Sequence, residues 1–176
     1  MKEGQHLSKK LIIINGTMGA GKSAVCRELN KRLKKSVWLD GDWCWMMNPF
    51  TVNEENKTMV ENNINFLLRS FLTNSSIEYV IFDWVIHKEE IFDLILEKLI
   101  DMEFDLFKIT LTCSEEALKK RLQKDIKKGL RDKDCINRSV ERLSLYENMK
   151  TIKIDTSNLS VNEAADKVVE IVSINR

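Results

Sequence analysis

A single proline, Pro49, in 176 residues, and no stretch rich in Pro, Gly or Ser, leave nothing that would serve as an inter-domain linker. No internal repeat is present, which excludes solenoid and propeller arrays. Cys26, Cys44, Cys113 and Cys135 stand far apart without a C-x-x-C pair, and with only His6 and His87 beside them they do not compose a conventional zinc site. Reduced thiols in a cytoplasmic protein are the simpler expectation. An excess of either charge is missing too: 28 basic and 27 acidic residues give a formal net charge of +1, no global attraction for nucleic acid or an anionic membrane. No apolar run approaches the length of a membrane span, and polar residues 1–10, which lack an apolar h-region, read as a flexible leader. What is present is a 43% hydrophobic chain that suits one domain over residues 1–176 with a full core, as a monomer or homodimer. The partner to look for is a small-molecule substrate.

Strand and helix signals alternate from end to end, the pattern of an α/β protein with a parallel sheet. Strands are expected at Leu11–Ile14, Ser36–Leu39, Tyr79–Val85, Phe104–Thr112 and Thr151–Asp155. Between them helical spacing predicts Lys22–Lys35, a helix to about Thr73, Lys88–Met102, Ser114–Lys128 and about Ile136–Met149. Two segments have capping-box spacing, Thr51-Val52-Asn53-Glu54 and Ser160-Val161-Asn162-Glu163, each a hydroxyl answered by a carboxylate three residues on. Trp43–Phe50 reads as a loop or broken helix.

Half of the six glycines fall in one place. Leu11–Ile14 run into Gly16-Thr17-Met18-Gly19-Ala20-Gly21-Lys22-Ser23, a fit to G-x-x-x-x-G-K-[ST] at every fixed position. Such a loop must curl its backbone N–H groups around a polyphosphate, and the glycines permit the φ values and close approach this needs. Lys22 would reach the β- and γ-phosphates, Ser23 would ligate Mg²⁺, and the helix dipole behind them favours an anion. Nucleotide contacts are expected from Gly16 to Ser23 and from Val25. The bland alternative is a glycine-rich turn between strand and helix.

A phosphate loop says only that a nucleotide is held; what faces the γ-phosphate decides the chemistry. Asp40-Gly41-Asp42 closes the second strand on the edge where open α/β sheets bind ligands. There Asp40 would serve the metal and Asp42 would accept the proton of a substrate hydroxyl, although Asp-Gly-Asp is also ordinary turn chemistry. Asp83, on the buried third strand, reads as a second metal-side acid. No Glu follows it to polarise water, which argues against a motor, and no N-K-x-D motif marks a GTP switch. Trp43, Trp45, Phe50 and Trp84 are candidates for a substrate wall, with plain core as the alternative. His87 reads as a surface residue, and Arg69 as an arginine that snorkels to solvent.

From Leu11 to about Val172 the chain resembles the small-molecule kinases of the P-loop class: shikimate, gluconate and adenylylsulfate kinases, chloramphenicol phosphotransferase and nucleoside monophosphate kinases. Leu39-Asp40-Gly41-Asp42 is similar to the L-D-G-D segment of gluconate and adenylylsulfate kinases. Ser114–Arg131 resembles their helix and lid, which implies adenine stacking by Arg121 and a phosphate clamp at Arg131, within a lid over about 122–136 that also carries Lys124 and Lys128. Arg142-Leu143-Ser144-Leu145-Tyr146 resembles the R-x-x-L-Y stretch of shikimate kinase, with Ser144 where a proline is usual, and implies a substrate contact for Arg142. Thr156 or Ser157 would touch the adenine.

The resemblance implies a three-layer α/β/α P-loop fold with a five-stranded parallel sheet in the order 2-3-1-4-5. It further implies an ATP- and Mg²⁺-dependent kinase: catalytic Lys22, Asp42 and Arg131; a metal held near Ser23, Asp40 and Asp83; and an acceptor near Asp42, Trp43, Trp84 and Arg142. A sugar, sugar acid or antibiotic-like alcohol is favoured over a nucleoside monophosphate, because no arginine-dense arm lies between the second and third strands. A slowly hydrolysing nucleotide switch and a non-catalytic adaptor are the competing classes.

Overall fold

The computed structural model describes residues 8–174. Most of the flexible leader expected over residues 1–10 lies outside the described residues, but Lys10 is strand. It opens β1 (Lys10–Asn15), which is followed by α1 (Lys22–Arg32), β2 (Ser36–Asp40), α2 (Glu54–Thr73), β3 (Tyr79–Asp83) and α3 (Glu89–Leu96). After these come β4 (Asp105–Thr112), α4 (Glu115–Lys127), α5 (Cys135–Glu141), β5 (Ile152–Asp155) and α6 (Val161–Ser173). The five strands form one parallel sheet in the order β2-β3-β1-β4-β5, as expected.

Side chains alternate across a strand, so β1 sends its four branched residues into two separate cores. Leu11 and Ile13 join Leu39, Val80 and Phe82 under Val60, Ile64 and Leu68 of α2 and Phe92 and Ile95 of α3. Ile12 and Ile14 join Ile81, Ile109 and Leu111 under Val25 and Leu29 of α1 and Ala165, Val168 and Val172 of α6. Helices on both faces explain why the strands read as continuous apolar runs rather than as alternating ones.

The strand register carries the functional consequence. Ile14 and Asp40 each pair with Asp83, so β1, β2 and β3 end at one level and present their following residues at the same edge of the sheet.

Element ends depart from expectation where side chains compete. Helix α2 is capped by Asn53, whose side chain accepts from the Asn56 amide at 2.8 Å, and not by Thr51, whose hydroxyl turns back to the Pro49 carbonyl. The box at Ser160 and Glu163 forms in full. The helix expected to run to Met149 stops at Glu141 and continues as a 3₁₀ turn, Leu143–Tyr146. Cys135 and Tyr146, eleven residues apart, would share one face of a straight helix. Here Cys135 packs with Leu118 and Leu122 while Tyr146 enters the core under α2 and α3, so the segment has to bend between them.

Candidate active site

The loop between β1 and α1 is shaped by its glycines. Gly16 sits at φ +145°, where a Cβ would lie 2.6 Å from the Leu111 carbonyl oxygen, so any side chain there both strains the backbone and collides with β4. Gly21, at φ 100°, precedes α1, whose first turn carries no acidic residue and receives no side-chain cap. Its amides are therefore left for a ligand, beside the positive end of the dipole. Lys22 is buried and its Nζ donates to the carbonyls of Gly16 at 3.0 Å and Thr17 at 3.3 Å, which holds the amine across the mouth of the loop. Burial pushes its pKa below that of an ordinary lysine, against the pull of Asp83, Asp42 and Asp40.

Opposite this cation stand the acids. The Ser23 hydroxyl bridges them, 3.0 Å from Asp40 Oδ2 and 3.1 Å from Asp83 Oδ2. Trp38 Nε1 donates to the other Asp83 oxygen at 2.6 Å, and Asp40 Oδ1 accepts from the Asp42 amide at 3.0 Å, which folds residues Gly41–Trp45 into a 3₁₀ turn. That turn carries the Asp42 side chain off the end of β2 into the cavity. Burial of its inner side and the neighbouring Asp40 raise the Asp42 pKa, opposed by Lys22, the Trp84 indole and Arg131. Burial likewise pushes Asp83 up to about 6.

One hydroxyl and two carboxylates, all hard oxygen donors beside a phosphate loop, fit Mg²⁺, which keeps several waters and binds through few protein ligands plus phosphate oxygens. Among the described residues no group of three or more His, Cys, Asp or Glu side chains forms an all-protein cage, and the four cysteines are free thiols.

The raised Asp83 pKa has a sign that can be measured. An acid whose folded pKa exceeds its unfolded value of about 3.9 binds its proton more tightly in the fold, so this group's contribution to stability increases as pH falls from 7 toward 4. A shift to about 6 corresponds to at most ~3 kcal/mol. His87 acts in the opposite sense over the same window, because burial, Arg142 and Lys88 lower its pKa. The difference between wild type and Asp83→Asn isolates the carboxylate: urea unfolding should show the variant more stable at pH 7.5 and the gap closing by pH 4.5. A gap that widens on acidification would refute the assignment.

Lys22, Ser23, Asp40, Asp42 and Asp83 line a cavity of 310 Å³ together with Met18, Gly19, Gly21, Trp84, Arg121, Asp125 and Arg131. Arg121 is fixed at its far end by bonds to Thr156 Oγ1 at 3.1 Å, to the Thr156 carbonyl and to the Ala20 carbonyl at 3.3 Å. This ties the phosphate loop, α4 and the turn after β5 together. Arg131 Nε pairs with Asp125 at 3.2 Å across a connection that narrows to residues 128–134.

Several of the expected contact residues do not line this cavity. Val25 packs into the core with α6, because the fourth residue of α1 faces the sheet. Gly16, Thr17, Ala20 and Thr156 are buried and do not line the cavity; the Thr17 hydroxyl donates to the Ser139 carbonyl at 3.0 Å, and Thr156 accepts from Arg121. Trp43 is 50% exposed and leans on Trp38, ring centroids 4.9 Å apart, so it lies outside the cavity. Arg142 is exposed at the end of α5 and also stands apart from it. Arg69 pairs with Asp101 at the surface. His87, expected at the surface, is half-buried and lines a second hollow.

Two further residues belong to the site, Trp38 through its bond to Asp83 and Asp125 in the cavity wall, and each carries a signal in the sequence. Trp38 shares a strand face with Asp40, two residues on, and Asp125 lies one helical turn beyond Arg121.

Comparison with known proteins gives a family and a fold. A family model described as an AAA domain matches residues 12–144. The chain is 27% identical over 90 residues to a cytidylate kinase of Buchnera aphidicola subsp. Baizongia pistaciae (strain Bp), a match covering 51% of this chain and 39% of that protein. The match thus spans about two fifths of that relative's length. Among solved structures, the tunicamycin resistance protein of Deinococcus radiodurans superposes with a TM-score of 0.67 at 18% identity, covering 93% of this chain and 95% of that one. The shikimate kinase of Acinetobacter baumannii in complex with shikimate gives 0.63 at 19% identity, covering 97% and 96%. At these identities the superpositions establish a shared fold. No helix among the described residues is long and apolar enough to cross a membrane.

Proposed function

The chain belongs to the AAA-domain family, and from that premise we propose that it is an ATP- and Mg²⁺-dependent phosphotransferase that moves the γ-phosphate to a hydroxyl of a small molecule. The observation that carries this reading is the sharing of one cavity by Lys22, Ser23 and Asp42, with no glutamate after Asp83 to activate water.

The loop amides and Lys22 hold the polyphosphate, while Ser23, Asp40 and Asp83 would hold Mg²⁺, which when bound neutralises charge on the β- and γ-phosphates. Asp42 accepts the acceptor's hydroxyl proton as that oxygen bonds to the γ-phosphorus. The bond from the γ-phosphorus to the β,γ-bridging oxygen breaks, and ADP leaves with its electron pair. A raised pKa makes Asp42 a better base than a solvated carboxylate. Arg121, braced by Thr156, and Arg131 spread the charge that builds on the leaving side.

A sugar, sugar acid or antibiotic-like alcohol suits the acceptor side. The cytidylate kinase relative favours a second reading, a nucleoside monophosphate as acceptor. Against it, the one arginine of α2, Arg69, is engaged with Asp101 and does not line the cavity. Acceptor-dependent ADP release across a panel of alcohols and nucleoside monophosphates tests both. Slow release indifferent to acceptor would replace the transferase reading with an ATPase or switch.

Gly41 supplies a structural check. A Cβ there would lie 2.6 Å from Trp84 Cγ, so Gly41→Ala must displace the indole or the turn that aims Asp42. The expected result is a loss of ~1–3 kcal/mol in urea unfolding, the usual cost of overpacking, together with a raised acceptor KM. An unchanged KM for the acceptor would argue that Trp84 does not border its site.

A further inference from the structure

Beside the phosphate cavity lies a second hollow of 210 Å³ between α2, α3 and the segment after β3. Trp84 and Val85 border both spaces, so the two meet across that indole, at the side of the cavity where Asp42 stands. The walls of the second space are apolar, supplied by Trp45, Ile64, Trp84, Ile91 and Ile95. An apolar cavity of about 150 Å³ holds benzene, so a ring with a short substituent fits here.

Its polar lining is Asn65, Glu61, Lys57 and His87, whose buried Nδ1 has no hydrogen-bond partner. Asn65 is 6% exposed; its Nδ2 donates to the Glu61 carbonyl at 2.9 Å, and its Oδ1 has no hydrogen-bond partner. The amide cannot be turned round, because the carbonyl it faces can only accept. Glu61, one turn earlier on the same wall, has no ion-pair partner among the described residues, whereas Lys57, at the solvent side, pairs with Glu54 at 2.7 Å. A buried oxygen left without a donor is rare in a settled core and asks for one from outside.

Resting on the phosphotransferase reading, we propose that this hollow is the acceptor's subsite and that it selects an amino alcohol. The apolar body lies between Trp45 and Trp84, and the amine donates to Asn65 Oδ1 and the Glu61 carboxylate. The hydroxyl passes Trp84 to Asp42, which takes its proton while the oxygen bonds to the γ-phosphorus of ATP and ADP departs. Against this wall the carboxylate of a sugar acid is disfavoured, since it would meet the Asn65 oxygen and the Glu61 carboxylate. The adjoining indoles favour an ammonium group further.

The test compares 2-amino-3-phenylpropan-1-ol, 3-phenylpropan-1-ol and gluconate as acceptors for the full chain with ATP and Mg²⁺. Turnover is read by ADP release, and binding separately by tryptophan fluorescence. The amino alcohol should bind and react with about tenfold or greater preference over the alcohol lacking the amine, and gluconate should do neither. Asn65→Leu should erase that preference by raising the amino alcohol's KM about tenfold, with kcat and the KM for ATP within about threefold and no loss of melting temperature. Asn65→Gln, which displaces the carbonyl by one methylene, gives the same readout should the leucine variant fold poorly. Equal effects of Asn65→Leu on both aryl alcohols, preference for gluconate, or no binding of the amino alcohol at millimolar concentration overturns the inference. Binding with the expected preference but no phosphorylation would uphold the subsite and defeat the transferase reading instead.

Discussion

Replacing Lys22 with alanine is expected to lower acceptor phosphorylation by roughly 10³-fold or more while leaving the fold intact, measured as ADP release at saturating acceptor with circular dichroism as the control. The size follows from where the amine sits. Lys22 is buried, its Nζ lies within hydrogen-bond reach of the Gly16 and Thr17 carbonyls, and Asp40, Asp42 and Asp83 all act on its charge. A cation in such a water-poor place interacts with a phosphoryl group far more strongly than one in bulk solvent, and phosphoryl transfer depends on positioning and charge more than on covalent help. Removing it also leaves three carboxylates facing the polyphosphate without their nearest counter-charge. Nucleotide affinity should therefore fall along with turnover. Lys22→Arg keeps the charge but not the compact ammonium, and should recover little. Activity within tenfold of wild type in Lys22→Ala would mean that the loop does not hold the reacting phosphates.

Asp42→Asn should behave differently, and the contrast separates binding from chemistry. Asp42 stands off the end of β2 on the Gly41–Trp45 turn, away from the loop amides, so ATP should bind within about threefold of wild type by calorimetry. Turnover should drop by about 10²–10⁴-fold, the usual worth of a positioned general base. The pH profile adds an independent reading. Because burial and Asp40 raise the Asp42 pKa, the acid limb of kcat/KM in the wild type should fall above the range of a solvated carboxylate, and the residual activity of Asp42→Asn should keep only the part of that limb set by Asp83. Full turnover by the asparagine variant would remove Asp42 from the chemistry. Loss of ATP binding instead would recast it as a nucleotide-side residue, with Lys22→Ala unaffected as a test of the loop.

What the sequence reveals of this site depends on distance along the chain. The P-loop was plain because its physics is local: Gly16, Gly19, Gly21, Lys22 and Ser23 act within eight residues of one another, and each type is dictated by backbone conformation or charge. The parallel sheet was legible for a related reason, since branched apolar runs alternating with amphipathic helices admit few arrangements, while its strand order followed from the resemblance to P-loop kinases. Asp40, Asp42 and Asp83 were legible as strand-end acids, but their meeting through the Ser23 hydroxyl was not, because it depends on the register that sets Asp40 and Asp83 side by side. Arg142 and Trp43 went the other way. Both have side chains of a type fit for a substrate wall, yet one ends a helix at the surface and the other stacks on Trp38. His87 looks superficial in the sequence because nothing in its neighbours along the chain reveals α2 folding over it, and Asn65 carries no signal, being a polar residue on a buried helix face.

By itself, then, the sequence determined the phosphate-binding loop, the doubly covered parallel sheet and the edge at which acids gather, all consequences of interactions within a turn or of the periodicities of strand and helix. Only the tertiary structure decided which acids share one hydroxyl, which arginines face inward, and that a second hollow opens across Trp84 with an unpartnered Asn65 oxygen in its wall. Those facts arise where segments tens of residues apart are brought into contact by burial, and burial depends on how whole faces pack rather than on any short run of side chains.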